Sequence, residues 1–99
     1  MNIYTVTFRN SYNKERVIGT VSGPDQEETF AAAHRVITKF CEEHNFTVYY
    51  LREHQMTMNG IENVTWVDAG SHTEFFHIYP ADHLTVAEAI KNAEIESAF

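Results

Sequence analysis

The sequence contains one cysteine, Cys41, among its 99 residues. A single thiol forms no internal disulfide and provides no CxxC motif for a metal or a redox reaction, which predicts a protein of the reducing cytoplasm. No apolar run approaches the roughly 20 residues of a membrane-spanning helix. The first residues alternate like a strand, so we expect no signal peptide.

Clustered basic charge is also missing. Seven Lys and Arg are scattered along the chain against fourteen Asp and Glu, which gives a net charge of −7. A surface that binds nucleic acid or an anionic membrane needs a basic patch, so we expect neither as a direct partner. The acidity serves either solubility or attraction to a basic protein partner, and the sequence leaves both open.

The composition predicts one folded domain over residues 1–99. The apolar fraction is 43% and the charged fraction 21%, which is ordinary for a globular protein. A chain of this length supports one hydrophobic core. No linker, repeat or low-complexity segment interrupts it.

Strands are predicted from alternation, apolar density and turn signals. Period-two patterns over residues 3–9 and 16–21 predict an N-terminal hairpin, and the dense apolar run 46–51 predicts a buried, central strand. Asn59 and Gly60 both accept positive φ and predict a hairpin turn. The strands around and after this turn are expected at residues 56–58, 61–63, 64–67 and 72–79.

A long helix is predicted over residues 25–44. Asp25 is a good N-cap with Glu28 three residues later, and Asn45 suits the left-handed position after the helix, with Phe46 folding back onto it. The apolar stripe of this helix consists of Phe30, Ala33, Ile37, Phe40 and Cys41.

A second helix is expected to start near Thr85, with Glu88 three residues later. The predicted order is β-β-α-β-β-β-α. The fold class is therefore α+β, with a mainly antiparallel sheet of four to five strands packed against one long helix plus a short C-terminal helix.

Six histidines invite a search for a metal site. His72 and Glu74 share one face of a predicted strand, while His77 points to the other. No HxH, HExxH or Cys/His spacing accompanies them, so we expect no metal and no cofactor. These three residues are the weak metal candidates and the alternative small-ligand or catalytic site at a sheet edge.

The candidate partner-binding residues are acidic and aromatic. No catalytic residue is predicted, since Cys41 lies on an apolar stripe and the paired carboxylates diverge around their helix. The acidic candidates are Asp25, Glu27, Glu28, Glu42 and Glu43. Tyr and Trp are the usual interface anchors, and the candidates are Tyr12, Tyr49 or Tyr50, Trp66 and Tyr79.

Two segments, FCEEHNF at 40–46 and DAGSHTEFF at 68–76, resemble small uncharacterised proteins of bacteriophages and prophages. The resemblance implies an accessory protein of a mobile element, of the kind that binds and blocks a host enzyme such as a restriction or CRISPR nuclease. It implies no catalytic residues.

The leading interpretation is a non-enzymatic, cytoplasmic phage protein of the anti-CRISPR or anti-restriction type. Its acidic and aromatic surface would bind a host nucleic-acid-processing protein with a basic surface. The alternative is a small-ligand-binding protein or minor enzyme that uses the His/Glu site, and a homodimer is left open.

Overall fold

The computed structural model describes residues 2–10, 14–71 and 73–97. Five strands form one antiparallel sheet in the order β2-β1-β5-β4-β3, and two helices accompany it. The elements are β1 Asn2–Asn10, β2 Arg16–Gly23, α1 Gln26–Glu43, β3 Arg52–Met58, β4 Ile61–Asp68, β5 Glu74–Tyr79 and α2 His83–Ser97. The predicted fold class and order of elements are confirmed.

Helix α1 begins and ends at the residues that its caps specify. The Asp25 carboxylate accepts hydrogen bonds from the amides of Glu27 at 2.7 Å and Glu28 at 3.2 Å. At the other end Asn45 adopts a φ of 57°, and the Phe46 amide donates to the Cys41 carbonyl at 2.8 Å. The predicted boundaries of this helix are confirmed.

The main core lies between α1 and one face of the sheet. Phe8 of β1, Phe40 of α1 and Phe76 of β5 are buried together, with ring centroids 4.7 to 5.8 Å apart. Phe46 returns to this cluster, with its ring 6.0 Å from that of Phe40, as predicted. Phe30 is only half-buried and packs on Tyr4.

Helix α2 covers part of the opposite face. Val86 and Ile90 pack with Val64 of β4 and Tyr79 of β5. Along β5, Tyr79 follows Ile78, which faces α1, so Tyr79 points to the opposite face. The predicted start at Thr85 was two residues late. The structure starts α2 at His83, because the Asp82 carboxylate accepts the Thr85 amide at 2.8 Å and takes the N-cap position.

The predicted central strand at 46–51 is wrong. Residues 46–51 form no strand, and the central strand is β5. Asn59 and Gly60 form the predicted turn, with φ of 53° and 78°, and align β3 with β4 so that Arg52 pairs with Asp68. Since β4 ends at Asp68, the residues before Arg52 have no neighbouring strand to bond. β4 is also one continuous strand where two short ones were expected.

We predict that Phe40→Ala lowers the free energy of unfolding by about 3 to 5 kcal/mol, because it leaves a cavity among packed rings. The measurement is urea denaturation followed by circular dichroism. Leu84→Ala is the control, since that side chain is 81% exposed and its truncation should change stability by less than about 0.5 kcal/mol. Equal effects of the two substitutions would contradict the assignment of the core.

Candidate functional site

The acidic candidates form two separate groups at the two ends of α1. Glu27 and Glu28 lie in the first turn beside the capping residue Asp25, and Glu42 and Glu43 end the helix. All five are exposed. At 1.5 Å per residue, the 15 positions between the groups correspond to about 22 Å along the helix. The structure therefore does not bring them into one patch.

The aromatic candidates are also dispersed. Trp66 is half-buried on the face of the sheet opposite α1, where its ring stacks 5.1 Å from that of Phe75. Tyr79 is completely buried, so its proposed contact with a partner is corrected: its hydroxyl is engaged inside the protein. Tyr12 lies outside the described residues.

Residues 48–51, hereafter the exposed segment, form an apolar surface that sequence reasoning placed in the core. Val48, Tyr49, Tyr50 and Leu51 are 43%, 73%, 42% and 47% exposed. The Tyr49 amide donates to the Ala69 carbonyl at 3.0 Å, and the Arg52 guanidinium lies 4.6 Å from the centroid of the Tyr50 ring. These contacts join the segment to the residue after β4 and to the first residue of β3.

Gly70 makes the close approach of the exposed segment possible. Its φ is 97°, and a Cβ at this position would lie 2.8 Å from the Cβ of Tyr49. Tyr49 and Gly70 border a cavity of about 760 Å³ together with Cys41 and Asn45 from the end of α1. Tyr49 and Tyr50 of the exposed segment thus border the same cavity as the C-terminal end of α1, although Glu42 and Glu43 are not among the residues that line it.

The predicted His/Glu site is not assembled. Glu74 accepts hydrogen bonds from the hydroxyls of Ser71 and Thr73, which lower its pKa, and it lines the cavity next to α1. His77 lies on the opposite face, as its odd spacing from Glu74 requires. His72 lies outside the described residues. Within residues 2–10, 14–71 and 73–97, no three His, Cys, Asp or Glu side chains group so that they could hold a metal ion.

A buried polar network surrounds Glu15, which sequence analysis did not single out. One oxygen, Oε2, accepts hydrogen bonds from the hydroxyls of Thr7 and Tyr79, each at 2.6 Å. Nδ1 of His77 lies 3.3 Å from the same oxygen, and the Glu15 and His77 side chains are 8% and 3% exposed. The Asn59 amide donates to the Tyr79 hydroxyl at 3.1 Å, which connects the β3–β4 turn to the network.

The network sets the charges of Glu15 and Tyr79. Burial raises the pKa of Glu15. Hydrogen bonds from His77, Thr7 and Tyr79 together lower it by a larger amount, so the net pKa is below its ordinary 4.5. Burial and the Glu15 carboxylate raise the pKa of Tyr79. Near neutral pH the carboxylate is therefore ionised and the phenol is neutral. Nδ1 of His77 faces the Glu15 carboxylate, so that Nε2 is the ring nitrogen left for other partners.

Comparisons with protein-family models, with curated proteins and with solved structures found no match for this chain. Over the residues that the structure describes, neither helix is both long and apolar enough to cross a membrane.

We predict that Glu15→Gln lowers the free energy of unfolding at neutral pH by roughly 1 to 3 kcal/mol, because a neutral amide replaces a charged acceptor of buried donors. Since the folded pKa of Glu15 is depressed, its ionisation stabilises the fold above pH 4.5, and this contribution is lost as the pH falls through the folded pKa. The difference between wild type and variant should therefore shrink in acid.

Urea denaturation at several pH values between about 3 and 7 measures this difference. Glu62→Gln, at an exposed position of β4, is the matched control and should change stability little at any pH. A difference between wild type and Glu15→Gln that is constant over this range would contradict the assigned role of the carboxylate.

Proposed function

We propose that the chain is a non-enzymatic accessory protein of a phage or prophage that acts in the host cytoplasm. It binds a basic surface of a host nucleic-acid-processing or defence protein, such as a CRISPR or restriction nuclease, and blocks it. The observation that carries this proposal is the exposed segment, whose Tyr49 and Tyr50 border one cavity with Cys41 and Asn45 from the end of α1 that also carries Glu42 and Glu43.

The exposed segment supplies the apolar part of such an interface. Four consecutive large residues are each more than 40% exposed, although the core is filled without them. Contiguous exposed apolar side chains usually mark a binding surface. Tyr49 is the most exposed of the four, and tyrosine is a common anchor because it combines a rigid ring with a polar hydroxyl.

The end of α1 supplies the charge. Glu42 and Glu43 lie where the helix dipole is negative, and no basic residue shares the last turn. Lys39 neutralises them only in part, with its Nζ 3.9 Å from a Glu43 oxygen at an exposed position. The carboxylates of Glu42 and Glu43 therefore repel each other and the negative end of the helix dipole, within a chain whose net charge is −7. Lys and Arg side chains of a partner would relieve this repulsion. The proposed occupant is therefore a protein with a basic surface.

We predict that the double reversal Glu42→Lys, Glu43→Lys slows association with the partner and reduces its dependence on salt. Charges act on the association rate through long-range attraction, which is screened over about 8 to 10 Å at physiological salt. Surface plasmon resonance at two or more salt concentrations measures this effect. The matched control is Glu27→Lys, Glu28→Lys, with the same change in charge on the same helix about 22 Å away.

The control reversal should leave association at physiological salt nearly unchanged. Equal slowing by both reversals would mean that total charge matters and the end of α1 does not. An unchanged rate for both would reduce the carboxylates to a solubility role, and the proposal would lose its electrostatic support.

We predict that Tyr49→Ala mainly speeds dissociation, because it removes packed contact without changing charge. The partner is first captured from a bacterial lysate with wild-type protein, then purified and tested for nucleic-acid cleavage with and without this protein. Leu84→Ala, an exposed apolar truncation on α2, is the control and should bind like wild type.

Two outcomes would contradict the proposal. One is a captured protein whose cleavage of nucleic acid is unchanged when the wild-type protein is added. The other is a wild-type protein that self-associates in light scattering and dissociates on Tyr49→Ala, which would assign the exposed segment to a homodimer.

A further inference from the structure

We propose that the face of the sheet opposite α1 carries a binding site for a small aromatic anion, with Arg9 as the cation and Trp66 and Phe75 as the aromatic wall. The cavity there has a volume of about 300 Å³ and is lined by Arg9, Trp66, Phe75 and His77. This volume is at the lower end of ligand pockets, which suits a single-ring compound.

Three neighbouring strands bring these four side chains together. In the register of the sheet, Arg9 of β1 pairs with Phe75 of β5, and Trp66 of β4 pairs with His77 of β5. Their spacing along each strand puts all four on the face away from α1. The site therefore rests on the central strands of the sheet, which hold side chains more rigidly than loops do.

The aromatic wall is pre-organised. The Trp66 ring stacks on Phe75 with centroids 5.1 Å and planes 28° apart, and His54 supports it from the neighbouring strand at 5.3 Å. Both Trp66 and Phe75 are half-buried, so part of each ring faces the cavity. An aromatic ligand would add one more ring to this stack.

Arg9 supplies the charge that selects an anion. It is exposed and forms no salt bridge with the carboxylates that the structure describes. A guanidinium presents a planar fork of donors that matches a carboxylate or a phosphate. The chain has a net charge of −7, so Arg9 gives this aromatic cavity a positive charge opposite in sign to the protein as a whole.

His77 supplies a second polar contact at the floor of the cavity. Its Nδ1 is directed to the buried Glu15 carboxylate, which leaves Nε2 for the cavity that the ring lines. The network behind it, with Thr7 and Tyr79, holds the imidazole in place. A fixed imidazole beside a guanidinium provides two donors or acceptors for the anionic group of one ligand.

Trp66 is the single tryptophan of the chain, so its fluorescence reports directly on this cavity. The probes are benzoate and phenyl phosphate, with benzyl alcohol as the uncharged control. We expect a saturable change in fluorescence with at least one of the two anions and none with benzyl alcohol. The anion that binds more tightly identifies the ligand as a carboxylate or a phosphate.

Arg9→Gln should weaken binding of the anionic probe by about tenfold or more, because it removes a charge-assisted hydrogen bond. Arg35→Gln, on the exposed side of α1, is the matched control and should bind like wild type. Both positions are exposed, so both variants should retain the fold. Absence of saturable binding by both anions at millimolar concentration, or equal binding by wild type and Arg9→Gln, would overturn the proposal.

Discussion

A buried carboxylate costs free energy unless hydrogen-bond donors replace the water it has lost, and in this protein three donors converge on one oxygen of Glu15. They come from β1 and β5, and the Asn59 amide connects the β3–β4 turn to these donors through the Tyr79 hydroxyl. Glu15, which directly precedes β2, is therefore bonded to the central strands β1 and β5. Through Tyr79 it is also connected to the β3–β4 hairpin. Removing one donor would leave a partly unsatisfied charge, which makes the network dependent on every member.

Because the hydrogen bonds of Glu15 lie on one face of the sheet only, the two faces are stabilised by different kinds of contact. The face under α1 is held by packed rings, among them Phe8, Phe40 and Phe76, whose contacts are apolar and without direction. The opposite face combines the apolar contacts of α2 with the directional bonds around Glu15. Side chains with fixed orientation are what a ligand needs, and the cavity beside His77 lies on this second face.

Features with local causes could be predicted from the sequence. The cap at Asp25, the left-handed Asn45 and the turn at Asn59 and Gly60 each follow from the conformational preference of one or two residues. The fold class followed because these signals and the apolar stripe of α1 agree with one another. The start of α2 was missed by two residues because Asp82 and Thr85 are both good caps and only the structure decides between them.

Features that depend on contacts across the sheet could not be predicted. Apolar density at 46–51 is typical of a buried strand, but burial also requires a partner strand, and β4 ends opposite Arg52. Glu15 looks like an ordinary turn carboxylate, and its donors Thr7, His77 and Tyr79 are up to 64 residues away along the chain. The alternation of His77 and Tyr79 on one strand was the available signal, yet spacing alone does not reveal which carboxylate they meet.

The exposed segment is also informative because the main core does not include it. The core under α1 is closed by Phe46, and Tyr49 and Leu51 are about half exposed or more, so these side chains gain little free energy from folding. A segment serving only as a connection would be better served by polar residues, which do not favour aggregation. Gly70 leaves the space for Tyr49 that a Cβ would fill, so the segment is positioned as well as exposed. The proposed interface would therefore use apolar side chains that the fold holds in place but does not include in its main core.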